Sequence, residues 1–238
     1  DGLSRIFEEV GGGLLKDPWL ARDEYIDVIL DFGAQQRERL SRTRARFLRR
    51  HAAHALSESE QVSVWMLLDM QRHAQLMYTS CGWFFDDISG TEAVQDLAYA
   101  GRALQLSRAF GGEKLEAPFL SNLELAPSSK AETPNGRAVF EKHVRPAMIE
   151  LDAVAAHSAM KSLVLGEPTP SRVSCYAIDA TDQDRQQTGK LRLAVGRLRV
   201  QSDITLEAGE LCYSVLYLGD HNIVAGVGPD EGEAPYRQ

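Results

Sequence analysis

GEPTP, residues Gly166–Pro170, is the stretch at which this chain changes its period. A glycine and two prolines in five residues punctuate the backbone and mark a boundary. Beyond it, Leu191, Leu193 and Val195 alternate with Arg192 and Ala194, the period-2 pattern of a strand. After Gly196 the apolar set moves to Leu198, Val200, Ile204 and Leu206. A one-residue phase change at a glycine predicts a bulge there, because an unbroken strand would turn its apolar side chains to water. Arg172–Asp179 reads as the first strand, and Leu211–Leu218 and Ile223–Val227 as later ones. Asp220-His221-Asn222 fits a tight hairpin turn. Before the boundary the period is helical. The expected fold class is therefore α+β: a helical bundle over residues 1–165, then a small antiparallel β-sheet over 166–238.

The helical part carries its own start signals. Asp17 precedes Pro18, a capping acceptor followed by a residue suited to the first helical position. Tyr25, Ile26, Ile29 and Leu30 recur at helical spacing behind it, and Phe32-Gly33 would end that helix. An arginine-rich run reaches to His54 with Phe47 and Leu48 facing inward. Ser57 and Glu60 form a capping box. The helix they open has Val64, Trp65, Leu67, Leu68, Leu76 and Met77 around most of its circumference, as a helix buried on both sides requires. Gly82 is expected to break it. Ser89 and Glu92 read as a second capping box, for a helix that Gly111-Gly112 ends. A loop-rich segment with Pro118, Pro127 and Pro134 follows. Val139–Leu165 reads as a helix pair or one helix kinked at Pro146.

Within this frame Met66–Asp87 (MLLDMQRHAQLMYTSCGWFFDD) concentrates the chemistry: Tyr78, Trp83, Phe84 and Phe85, the acids Asp69, Asp86 and Asp87, His73, and Cys81. The net charge of −8 disfavours nucleic acid and anionic membranes as partners, since both need a basic face. The cluster within Arg37–Arg50 reads as a solvated helix face. Three cysteines without a CxxC spacing make neither a disulfide framework nor a zinc site, and point to reduced thiols in the cytoplasm. No apolar run is long enough for a membrane span. His51, His54, His157 and His221 lack the spacing of metal ligands, so neither metal nor cofactor is expected. Cys81 is expected to be a buried, inert thiol. The chain opens Asp-Gly-Leu, as a piece of a longer polypeptide would.

Met66–Leu106 resembles the signature of the DUF3536 domain, a domain of unknown function that follows the catalytic barrel in a branch of glycoside hydrolase family 57-like proteins. Leu14–Asp31, Pro146–Val164 and Tyr217–Val227 carry the resemblance over nearly the whole chain. In those proteins a glutamate nucleophile and an aspartate acid/base sit on an N-terminal barrel, whose motifs this chain lacks. The resemblance implies a non-catalytic accessory domain that packs on that barrel, its partner in the same polypeptide, and helps wall an oligosaccharide cleft. A purely structural or oligomerisation domain with no sugar contact is the alternative.

The candidate substrate-binding residues are Trp83, Asp86, Asp87, His73 and Tyr78; no catalytic residue is assigned. An aromatic face suits the C–H face of a pyranose, yet three adjacent aromatics cannot all share one face, so some belong to a core. Asp86 and Asp87 would have to lie about 5–9.5 Å apart across one glycosidic bond to act as a catalytic pair. Sequence neighbours seldom flank one bond, so capping a helix or pairing with Arg72 is the plainer role. An independent enzyme built on these two aspartates is the third reading. Arg72, in an apolar helix, needs a carboxylate, with Asp69, Asp86 and Asp87 as candidates.

Overall fold

A computed structural model describes residues 1–32 and 37–232. The fold is α+β. The chain forms two compact units, Asp1–Met148 and a second beginning at Ile149.

The first unit is helical: α1 (Gly2–Leu14), α2 (Pro18–Glu24), α3 (Ile26–Ile29), α4 (Arg37–His51), α5 (Glu58–Leu76), α6 (Cys81–Phe84), α7 (Thr91–Ser107), α8 (Glu116–Glu124) and α9 (Gly136–Val139). Local signals set several of these boundaries. Asp17 accepts a hydrogen bond from the Leu20 N–H at 3.0 Å, with Pro18 at the first helical position. The Ser57–Glu60 capping box is complete. Gly111, with φ of 78°, ends the short turn that extends α7.

The centre of this unit is α5. Val64–Gln71 are buried without a break, so the helix has no solvated face along its middle. Trp65 is fully enclosed, its ring 5.5 Å from Phe47 and 6.3 Å from Tyr25, with the Arg44 guanidinium over it at 5.2 Å. α7 packs along α5. A second core of Leu97, Leu120, Val139, Phe140 and Val144 joins α7, α8 and α9.

Four expectations about this unit change. The helix from Asp17 is two helices, because Tyr25 leaves the α2 axis to bury its ring; Ile26 and Leu30 are then exposed. Gly33 lies outside the described residues. The arginine-rich helix ends at His51, short of His54, with Phe47 buried and Leu48 half-buried. Ser89 does not cap α7: Gly90 is its N-cap, and no side chain caps it. Pro118 sits inside a helix, in the first turn of α8, where a missing N–H costs nothing.

The second unit is α10 (Leu151–Leu165) followed by β1 (Arg172–Val173), β2 (Tyr176–Thr188), β3 (Leu191–Ser202), β4 (Ala208–Gly219) and β5 (Asn222–Pro229), an antiparallel sheet in sequential order. Thus α10, expected with the helical domain, belongs with the strands. Val154, Ala155, Ala159 and Leu163 of α10 share one core with Ile178, Leu198, Val200, Tyr213 and Val215. A sheet of this size needs one face covered, and the small residues of α10 let the helix lie close. The helix pair or kinked helix expected over Val139–Leu165 is one α-helix, α10, preceded by a π turn (Phe140–Val144) and a 3-10 turn (Arg145–Ala147) that belong to the first unit.

The bulge is in the neighbouring strand. β3 keeps one phase, with Ala194, Gly196, Leu198 and Val200 on the covered face. The register shift lies in β2 between Ala180 and Asp182, opposite Leu198 and Arg197. Gly196 is required for a different reason: a Cβ there would overlap the Asp182 carbonyl and lie 2.9 Å from the Tyr213 hydroxyl. Leu193 therefore faces the other side, in register with Leu216, which pairs in turn with Val224. The segment expected as a first strand is a β1–β2 hairpin through Ser174 and Cys175. At the far end Gly219 pairs with Asn222, closing the predicted tight turn through Asp220 and His221.

Candidate functional site

α5 stops at Leu76, well before Gly82, and the next ten residues form a short wrapped segment. Two acids hold it. On one side the Thr79 hydroxyl donates to Asp96 Oδ1 at 2.6 Å, and Gly82 rests against the same carboxylate so closely that a Cβ would overlap it. Gly82 is therefore a close-approach glycine inside α6, not a helix breaker. On the other side the Asp87 carboxylate accepts from the Ser89 N–H at 2.8 Å and the Ser129 N–H at 3.0 Å, and also from the Ser128 and Ser129 hydroxyls. The Ser129 hydroxyl and the Ser89 N–H hold this carboxyl well below the usual aspartate range.

Between these anchors, and at Tyr78 just before the first, the aromatic side chains face outward. Tyr78 is 74 % exposed, Trp83 73 %, Phe84 71 % and Phe85 50 %, and the Phe84 and Phe85 rings meet edge to face at 5.3 Å. None of the three adjacent aromatics joins a core of its own unit. Cys81, expected to be buried, is exposed as well. Asp86 is exposed and free to meet a ligand, whereas both oxygens of Asp87 are taken by the chain's own donors.

His73 lies on the other side of the matter, half-buried in α5. Its Nδ1 is 2.9 Å from the Asp69 carbonyl and its ring centre 6.0 Å from that of Tyr99. Burial lowers its pKa, against the pull of Asp69, so the ring is neutral at neutral pH. Asp69 is buried and is the carboxylate that Arg72 needs, at 3.5 Å; Asp86 and Asp87 are not. The Tyr25 hydroxyl is buried nearby in the same unit without a hydrogen-bond partner among the described residues, and burial pushes that phenol up.

Tyr78 does reach a concavity. A cavity of about 340 Å³ is lined by Tyr78 with Trp19, Gln71, Gln75, Leu104 and Phe119. Trp19 is fixed there by its Nε1–H bond to Glu8 and by Arg22 stacked on its ring at 4.8 Å. Sequence reading gives Trp19 and Phe119 no role in a site, since one reads as a helix start and the other as loop. Only the tertiary fold brings them to Tyr78. Among the described residues no group of three His, Cys, Asp or Glu side chains is arranged to hold a metal, and no helix is long and apolar enough to cross a membrane.

Neither a curated protein nor a solved structure matches the chain. The sequence model described as domain of unknown function DUF3536 matches residues 1–238, the whole chain, and the protein belongs to that family.

Proposed function

We propose that this is a non-catalytic accessory domain of a glycoside hydrolase family 57-like protein, which packs on the N-terminal barrel of its own polypeptide and helps form a glycan cleft. The observation that carries the reading is the pinned segment Tyr78–Asp87: four large aromatics face solvent from a backbone fixed at both ends by Asp96 and Asp87. Exposed aromatics on a fixed backbone are a surface prepared for contact, because ordering them on binding costs little entropy. Trp83, with the open carboxylate of Asp86 three residues on, has the make-up of a sugar subsite: a flat apolar face and an acceptor for hydroxyls. Phe84 and Phe85, packed on each other, suit the contact with the barrel. Three free thiols fit a reducing, cytoplasmic setting.

Fluorescence titration of this chain and of the full-length protein with α-glucans and mannosides tests the reading, with Trp83→Phe as control. Saturable quenching that disappears in the variant is expected in the full-length protein. Sugar binding that is unchanged by Trp83→Phe would leave the segment as a packing surface and favour the structural alternative.

A further inference from the structure

The helical unit has a second concavity, of about 560 Å³, whose lining is charged: Arg39, Arg42, Arg46 and Arg49 of α4, and Asp27 and Asp31. The four arginines lie at i, i+3, i+7 and i+10 and so share one helix face. Like charges in that spacing repel, by a few tenths of a kcal/mol per pair, unless something opposite lies among them. The two aspartates do so only in part. Asp31 is buried and already engaged: its Oδ1 is ion-paired with Arg39 Nε at 2.7 Å, and its Oδ2 accepts from the Thr43 hydroxyl at 2.7 Å. Arg42 has Glu38 at 4.0 Å. Arg46 and Arg49 have no ion pair among the described residues.

We infer that this concavity binds a small, multiply charged oxyanion, bearing phosphoryl or carboxylate groups. The inference rests on no part of the glycan reading. Arg39, paired with Asp31, lines one wall, and the open guanidinium forks of Arg46 and Arg49 match two oxygens of one phosphoryl or carboxylate group each. The volume is that of a small-molecule site. A long polyanion fits poorly, because the chain as a whole carries −8 and a duplex reaching past this one patch meets repulsion.

Calorimetric titration of the full chain at physiological ionic strength with inorganic pyrophosphate, and separately with citrate, tests this. One-site saturable binding to either is expected, weakened at least tenfold in Arg46→Gln/Arg49→Gln, whose melting temperature stays at the wild-type value because both side chains are exposed. Pyrophosphate alone would mark the source as a phosphoryl compound, and citrate alone a polycarboxylate. Absence of saturable binding to both, or equal binding by the double variant, overturns the inference. Duplex DNA binding more tightly than pyrophosphate, and lost in the same variant, overturns it in favour of a nucleic-acid surface.

Discussion

The Thr79 hydroxyl and the Asp96 carboxylate meet at 2.6 Å, and this bond sets the path of the chain between α5 and α7. Gly82 lies against the other oxygen of the same carboxylate. Gly82→Ala therefore forces either Asp96 or the backbone to move. A loss of about 1–3 kcal/mol is expected, the usual cost of overpacking. Asp96→Ala removes the obstruction, so the two substitutions together should cost less than the total of each alone. Chemical denaturation of the four proteins in the cycle measures this. Strict additivity would mean that Gly82 and Asp96 do not contend for one space.

Asp87 makes stability depend on acid pH. Its carboxyl is held below its unfolded value of about 3.9 by donors that need the ionised form. A depressed folded-state pKa stabilises fully above the unfolded value and is lost as pH falls through the folded one. The urea midpoint of the wild type should exceed that of Asp87→Asn at pH 7, and the gap should narrow below pH 4. A gap that is constant with pH would show that the bonds to Ser89 and Ser129 do not depend on the charge.

Two tryptophans in the same helical unit should respond oppositely. Trp65→Ala opens a cavity inside α5's core, at a cost of about 3–5 kcal/mol. Trp83→Ala removes an exposed ring and should change stability by no more than about 0.5 kcal/mol. Thermal melts of both variants decide it. A large loss at Trp83 would place that ring in a packed interface within this chain and remove it as a free ligand surface.

The position of α10 predicts where the chain can be cut. A polypeptide beginning at Ile149 retains the helix that covers the sheet and should fold, with dispersed amide NMR signals. One beginning at Gly166 loses Val154, Ala155, Ala159 and Leu163 from its core and should aggregate. Folding of the shorter piece would mean that the strands need no cover.

What the sequence determined by itself was local. The Asp17 cap, the Ser57–Glu60 box, the all-round apolar surface of α5, the change of period at Gly166–Pro170 and the Asp220–His221 turn each depend on residues a few positions apart, and each is present. Propensity and periodicity act over that range. The tertiary structure decided what depends on distant partners. Asp87 finds Ser129, 42 residues on, and so becomes an anchor instead of an open ligand. The bulge lies in β2, and Gly196 is needed where the Asp182 carbonyl comes close, neither of which the pattern of β3 alone reveals. α10 joins the strands because its Val154, Ala155, Ala159 and Leu163 cover a sheet face that must be buried. Trp83, Phe84 and Phe85 have the same hydrophobicity inside or out, and it is in the folded chain, where Asp96 holds Thr79 and Asp87 holds Ser129, that they stand exposed.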